Sequence, residues 1–176
     1  MTKILVISAH QDLQQSISNR LILADLEQHF GSDLSVRRLS DLYPDYRIDV
    51  AAEQAALVEA ELRERLTELD AAGVDRSQVI LDPGLGFAKT HAQSWELLAA
   101  TPRLIEELGR PLLIGASRKR FLARAAEEGA APVQRDAVTA ATTALAAAAG
   151  AWAVRVHEVP VNRAAVRTAS LWKEHQ

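Results

Sequence analysis

Hydrophobic positions along this chain alternate between two rhythms. Short, nearly continuous apolar runs break into polar or glycine-containing turns, and the stretches that follow carry apolar residues three and four apart. The runs predict strands over residues 4–8, 34–39, 78–82, 111–115 and 152–156. The spaced stretches predict helices over about 14–30, 49–72, 90–108, 133–149 and 162–174. Local chemistry supports several boundaries. Gly31, Gly73, Gly109 and Gly150 stand where helices should stop, Asp49 offers an N-cap, and Thr90 with Gln93 forms a capping-box pair. Asn162 is the polar residue expected to cap the last helix. The second run, 34–39, alternates apolar with charged residues and suits a sheet edge.

Five strands alternating with helices through short connections imply a parallel α/β architecture with right-handed crossovers. Five units fall short of an eight-stranded barrel. The expectation is therefore a flavodoxin-like, doubly wound, five-stranded sheet of order 2-1-3-4-5 in a three-layer α/β/α single domain spanning residues 1–176. The second helix, at about 22 residues, is long for such a unit.

Composition narrows the function classes. A net charge of -3 and a pI near 6.0 give no basic field, so neither nucleic acid nor an anionic membrane is an expected partner. No cysteine is present, which excludes thiolate metal sites and a cysteine nucleophile, and no metal site is expected. No apolar stretch nears the roughly 18 residues needed to span a bilayer, and a cytoplasmic protein is expected. The strand 152–156 is more apolar than an unprotected edge should be, so self-association through that edge is a further expectation.

The stretch 80–90, Ile-Leu-Asp-Pro-Gly-Leu-Gly-Phe-Ala-Lys-Thr, ends an apolar run in a carboxylate and a Pro-Gly turn, the form of a strand tip that delivers groups to a site. With Gly115-Ala116-Ser117-Arg118-Lys119-Arg120-Phe121-Leu122 and the Arg155-Val156-His157 phrase, it makes residues 61–176 resemble the last three strand tips of dihydropteroate synthase, a TIM-barrel family. That resemblance implies that Asp82 and Lys119 hold a pterin and that Arg155 and His157 help bind a diphosphate leaving group.

Residues 1–60 resemble a different family, the flavodoxin-like NAD(P)H:quinone oxidoreductases that include ancillary subunits of potassium-efflux systems. The matching residues are Ile7-Ser8-Ala9-His10, then Ser16 and Asn19, and the run from Leu42 to Gln54, with Gln11 where that family has proline. There the resemblance implies that His10, Ser16 and Asn19 cradle a flavin phosphate.

The chain thus reads as an engineered chimera whose two segments share the long helix. The flavin-ring loops of one family, and the earlier strands and asparagine loop that serve diphosphate and metal in the other, are not recognised in it. The expectation is a scaffold that is not an enzyme, with no cofactor and with phosphate or sulfate as a weak ligand at the strand tips. The alternatives are an FMN-binding oxidoreductase or a pterin-binding, dihydropteroate synthase-like transferase. For single residues the plainer readings stay open: Asp82 as a turn acceptor, Arg118 and Lys119 as solvated charges, His10 as a loop residue, and Arg155 in a salt bridge with Asp82 or Glu158.

Overall fold

The computed structural model describes residues 4–8, 16–45 and 47–176. It divides into two compact units, one ending at Glu64 and the other beginning at Arg65.

In the first unit, β1 (Ile4–Ser8) pairs in parallel with β2 (Leu34–Arg38), in register from Ile4 opposite Leu34 to Ser8 opposite Arg38. The crossover is α1 (Ile17–Phe30), which Gly31 ends at φ 48°. A single turn, α2 (Leu39–Leu42), precedes α3 (Val50–Ala71). Asp49 caps α3 as expected, its Oδ1 accepting from Ala52 N at 2.9 Å. The charged residues of β2 are engaged: Arg37 donates from Nε and Nη2 to the two Glu53 carboxylate oxygens, each at 2.6 Å, and Tyr43 Oη donates to the same carboxylate at 2.9 Å. Hydrogen bonding to Glu53 raises the Arg37 pKa.

The second unit is built around three parallel backbone segments. Leu81 forms a bridge with Leu112, and β3 (Leu113–Ile114) pairs with β4 (Ala153–Val154). Between the first two runs α4 (His91–Ala99), α5 (Thr101–Leu108), while α6 (Asp136–Ala148) leads into β4 and α7 (Val159–Glu174) follows it. The expected helix 90–108 is interrupted at Ala100, because Pro102 in the first turn of α5 lacks the amide needed to continue the hydrogen-bond ladder. The Thr90–Gln93 capping box is present, and Gly109 ends α5 in the left-handed conformation.

The core of this unit contains Leu85, Leu97, Leu104, Leu112, Ile114, Phe121 and Leu122, each at most 2% exposed. Phe121 meets Trp95 edge-to-face at 5.5 Å, and Trp95 Nε1 donates to the Phe121 carbonyl at 3.1 Å. Asn162 does not cap α7, which begins earlier, at Val159, with Pro160 in its first turn. It is instead 2% exposed and bonded to Thr143 Oγ1 and the Glu158 carbonyl, both at 2.6 Å.

The five strand positions lie near those expected, but the single five-stranded sheet of order 2-1-3-4-5 does not form. Among the described residues there are two separate two-stranded sheets, β1–β2 and β3–β4, with Leu81 adding one bridge. The third run is too short to carry a full ladder. Upstream, Asp75 caps a 3₁₀ turn at Arg76–Gln78, its side chain accepting from Ser77 N. Downstream, Pro83 has no amide to donate.

Candidate active site

The three parallel segments of the second unit place their C-terminal ends side by side. Leu113 N donates to Leu81 O at 2.8 Å, Trp152 N to Leu112 O at 2.9 Å, and Arg155 N to Ile114 O at 3.1 Å. The chain beyond these ends supplies Asp82, then Gly115 to Lys119, then Arg155 and His157, so all four residues expected at the pterin-type site belong to neighbouring strand tips.

Asp82 does act as a turn acceptor: its Oδ1 receives Gly84 N at 2.8 Å. That leaves Oδ2, and its direction is informative. A Cβ built on Gly115 would lie 3.4 Å from Asp82 Oδ2 and 3.9 Å from Lys119 Nζ, so the carboxylate and the ammonium converge over the bare Gly115 backbone. The Gly115 side-chain space is open because a residue without a side chain stands there.

Lys119 is not a solvated surface charge. Its Nζ donates to the Leu85 carbonyl and lies 4.1 Å from the centroid of the Phe87 ring. Burial is the main influence on it and lowers its pKa; Asp82 opposes that shift, while Arg155 and Lys89 add to it. The loop between Asp82 and α4 turns through Gly84 and Gly86 at φ 69° and 72°. A Cβ on Gly86 would meet Lys119 Cδ at 3.0 Å, so glycine is needed there both for φ and for the lysine's passage. Lys89 Nζ holds the same loop through the Gly84 and Phe87 carbonyls, at 3.3 Å each.

Arg118 is anchored on several sides. Its backbone adopts φ 60°, unusual for a residue with a side chain. The guanidinium makes a two-pronged contact with Asp136 at 2.8 and 2.7 Å, its amide donates to Thr139 Oγ1 at 3.3 Å, and its carbonyl accepts from Arg135 at 3.1 Å. Hydrogen bonding to Arg118 lowers the Asp136 pKa and raises that of Arg118. Fixed in this way, Arg118 sets the backbone that carries Ser117 and Lys119.

Arg155 contacts His157, with Nη1 3.2 Å from His157 Nε2, rather than forming the expected salt bridge to Asp82 or Glu158. The two residues stand two apart just beyond the end of β4, and their side chains meet there. His157 Nδ1 lies 2.9 Å from the buried Ser117 hydroxyl. Asp82, Arg155 and Lys89 thus all lie within electrostatic reach of Lys119. Such a rim suits a ligand with hydrogen-bond donors for Asp82 and an anionic end for the cations.

In the first unit, Ser16 caps α1, accepting from Asn19 N at 3.4 Å and from Asn19 Nδ2 at 2.8 Å. His10 lies outside the described residues. Among the described residues no group of three or more His, Asp or Glu is placed to hold a metal ion, and no helix is long and apolar enough to cross a membrane. Sequence reasoning missed Gly115, Phe87, Lys89 and the Arg118–Asp136 clamp. Phe87 and Lys89 belong to the 80–90 stretch, but Phe87 gains its role only from Lys119, about thirty residues on, and Lys89 through the carbonyls of its own folded loop.

The profile of the pterin binding enzyme family matches residues 44–157. The dihydropteroate synthase of Mycobacterium leprae (strain TN) is 47% identical over 133 residues, covering 73% of this chain and 45% of that protein. Among solved structures, the dihydropteroate synthase of Xanthomonas albilineans in complex with 7,8-dihydropteroate superposes with a TM-score of 0.63 at 36% identity, covering 78% of this chain and 53% of that one. That of Anaplasma phagocytophilum, with bound 6-hydroxymethylpterin-monophosphate, gives 0.65 at 25% identity over 95% of this chain and 64% of its own. The chain spans about half the length of these relatives.

These matches correct three expectations. The flavodoxin-like assignment gives way to structural kinship with dihydropteroate synthase, a TIM barrel, whose βα units show the same strand–helix alternation as an open sheet. The division into two families gives way as well: the profile match begins at residue 44, inside the segment read as quinone reductase, and the structural match covers 95% of the chain. The inactive, engineered scaffold is overturned by sequence identity to a family of enzymes.

Proposed function

This chain belongs to the pterin binding enzyme family, and we propose that its strand-tip rim binds a reduced pterin bearing a phosphorylated hydroxymethyl group and serves a dihydropteroate synthase-like transfer to an aromatic amine. The observation that carries the reading is the convergence of Asp82 Oδ2 and Lys119 Nζ over Gly115, with Arg155 and His157 just beyond the end of the adjoining strand. The Asp82 carboxylate accepts hydrogen bonds from the amino and ring N–H groups of a pterin, and Lys119 donates to its acceptor atoms. Arg155 and His157 face the phosphorylated end.

In the transfer, the amine lone pair forms a bond to the pterin methylene carbon as its C–O bond breaks. The diphosphate leaves with the bonding pair, and the amine proton passes to solvent. Cationic groups aimed at the departing oxygen stabilise the charge that develops there. No step requires proton abstraction by a side chain, in keeping with a rim that offers cations and one carboxylate. The test is to incubate the protein with the reduced pterin diphosphate and 4-aminobenzoate and to follow diphosphate release and 7,8-dihydropteroate by chromatography. Formation of both at equal rates is expected, and release of diphosphate without pteroate would overturn the transferase reading. The grouping of Arg155 and Lys89 about Lys119 favours a second reading, capture of phosphate or sulfate without turnover, which predicts phosphate binding and no product.

A further inference from the structure

The contacts of His157 fix where its proton sits, by donor counting alone. A guanidinium has only donors, so His157 Nε2, 3.2 Å from Arg155 Nη1, must present its lone pair. In the neutral ring the proton is then on Nδ1, where it is donated to Ser117 Oγ at 2.9 Å. The same oxygen accepts the His157 backbone N–H at 3.2 Å. Both Ser117 lone pairs are thus committed to one residue forty positions away, and the hydroxyl, in a side chain only 5% exposed, has little freedom to turn.

We propose that Ser117 is a positioning residue: by accepting from His157 Nδ1 and from its backbone amide, it holds the imidazole in the Nδ1–H form with Nε2 toward Arg155, and so directs the Arg155 guanidinium to the anionic end of the ligand. Ser117 itself does not touch the ligand. The mount is rigid, because the next residue, Arg118, is held by Asp136, Thr139 and Arg135. On the other side, the Glu158 carbonyl is held by Asn162. The inference rests on the pterin-phosphate reading for its effect on affinity, while the position of the ring proton is independent of that reading.

The experiment uses the full chain labelled with ¹⁵N-histidine, together with Ser117→Ala and Ser117→Thr. Long-range ¹H–¹⁵N spectra report which ring nitrogen of His157 is protonated, the resonance being assigned with His157→Gln. Titrations compare 6-hydroxymethylpterin monophosphate with unphosphorylated 6-hydroxymethylpterin. The wild type and Ser117→Thr should show Nδ1–H. Ser117→Ala should lose that pattern and bind the monophosphate about tenfold more weakly, the loss expected for one hydrogen bond to a charged group, with the unphosphorylated pterin unaffected. An Nε2–H wild type, equal weakening of both pterins, or unchanged affinities in Ser117→Ala would each overturn the proposal. If the wild type binds neither pterin, the function proposed above fails, and the ring-proton spectra alone then decide the role of Ser117. Should Ser117→Ala not fold, the wild-type and Ser117→Thr spectra decide it in the same way.

Discussion

Thr143→Val is the sharpest test of how the second unit is held together. Thr143 and Asn162 are 3% and 2% exposed, and Thr143 Oγ1 donates to Asn162 Oδ1 at 2.6 Å across the α6–α7 packing. Valine keeps the shape of threonine and opens no cavity, so the substitution isolates the hydrogen bond. It leaves Asn162 Oδ1 buried without that donor, which costs about 1–3 kcal/mol. For a chain of this size, each kcal/mol lowers Tm by about 2–4 °C, so a cost near 2 kcal/mol predicts a fall of about 4–8 °C. Urea unfolding followed by far-UV circular dichroism gives the same quantity as a change in midpoint at constant slope. Asn162→Leu should be destabilising as well, and the double variant less destabilised than the sum of the two singles by at least about 0.5 kcal/mol, since removing both partners leaves no orphan between them. A Thr143→Val protein within about 0.5 kcal/mol of wild type, or strictly additive singles, would refute the argument.

Other perturbations act nearer the rim. Gly115→Ala should fold with an unchanged Tm, because its Cβ meets its neighbours at ordinary contact distances, yet weaken pterin binding by about tenfold or more in a calorimetric titration by filling the space between Asp82 and Lys119. Phe121→Ala should cost about 3–5 kcal/mol in urea unfolding, since it empties a core position that is 1% exposed and removes the ring under Trp95. The Asp136 carboxyl has a lowered folded pKa, so its pairing with Arg118 stabilises the fold above the ordinary carboxylate pKa, and that contribution is lost as pH falls through the lowered value. Asp136→Asn should therefore flatten the acid limb of Tm against pH, which scanning calorimetry from pH 7 downward would reveal. Asp82→Asn removes the one influence that raises the Lys119 pKa, so Lys119 should be acylated faster than in wild type at neutral pH, as read by mass spectrometry of competitively labelled protein.

The strand positions were legible because buried parallel strands read as short apolar runs, and the helix ends because Asp49, Thr90 with Gln93, Gly31 and Gly109 act through local hydrogen bonds or backbone freedom. Strand order was not, since an open sheet and a barrel present the same alternation to a linear reading; Pro83 marked the end of the third run, but nothing local showed that its pairing would shrink to one bridge at Leu81. Asn162 was misread because a polar side chain near a helix start looks the same whether it caps or is buried, and only its contact with Thr143 on α6 separates the two. At the rim, the motif named Asp82, Lys119, Arg155 and His157. The contacts that orient them, Arg118 with Asp136 and Ser117 with His157, join residues 18 and 40 apart and have no local signature. Gly115 is one residue of the 115–122 motif, but its role lies in a missing side chain, which acquires meaning only because Asp82 and Lys119 converge there.

On the reading proposed above, Asp82, Lys119, Arg155 and His157 form one binding site for a phosphorylated pterin. Calorimetric titration of 6-hydroxymethylpterin monophosphate into the wild type, Asp82→Asn and Arg155→Gln tests it most directly, with unphosphorylated 6-hydroxymethylpterin as the second ligand. The predicted result is saturable binding to the wild type, loss of both ligands in Asp82→Asn, and loss confined to the phosphorylated ligand in Arg155→Gln. Equal affinity of all three proteins for the monophosphate would contradict it.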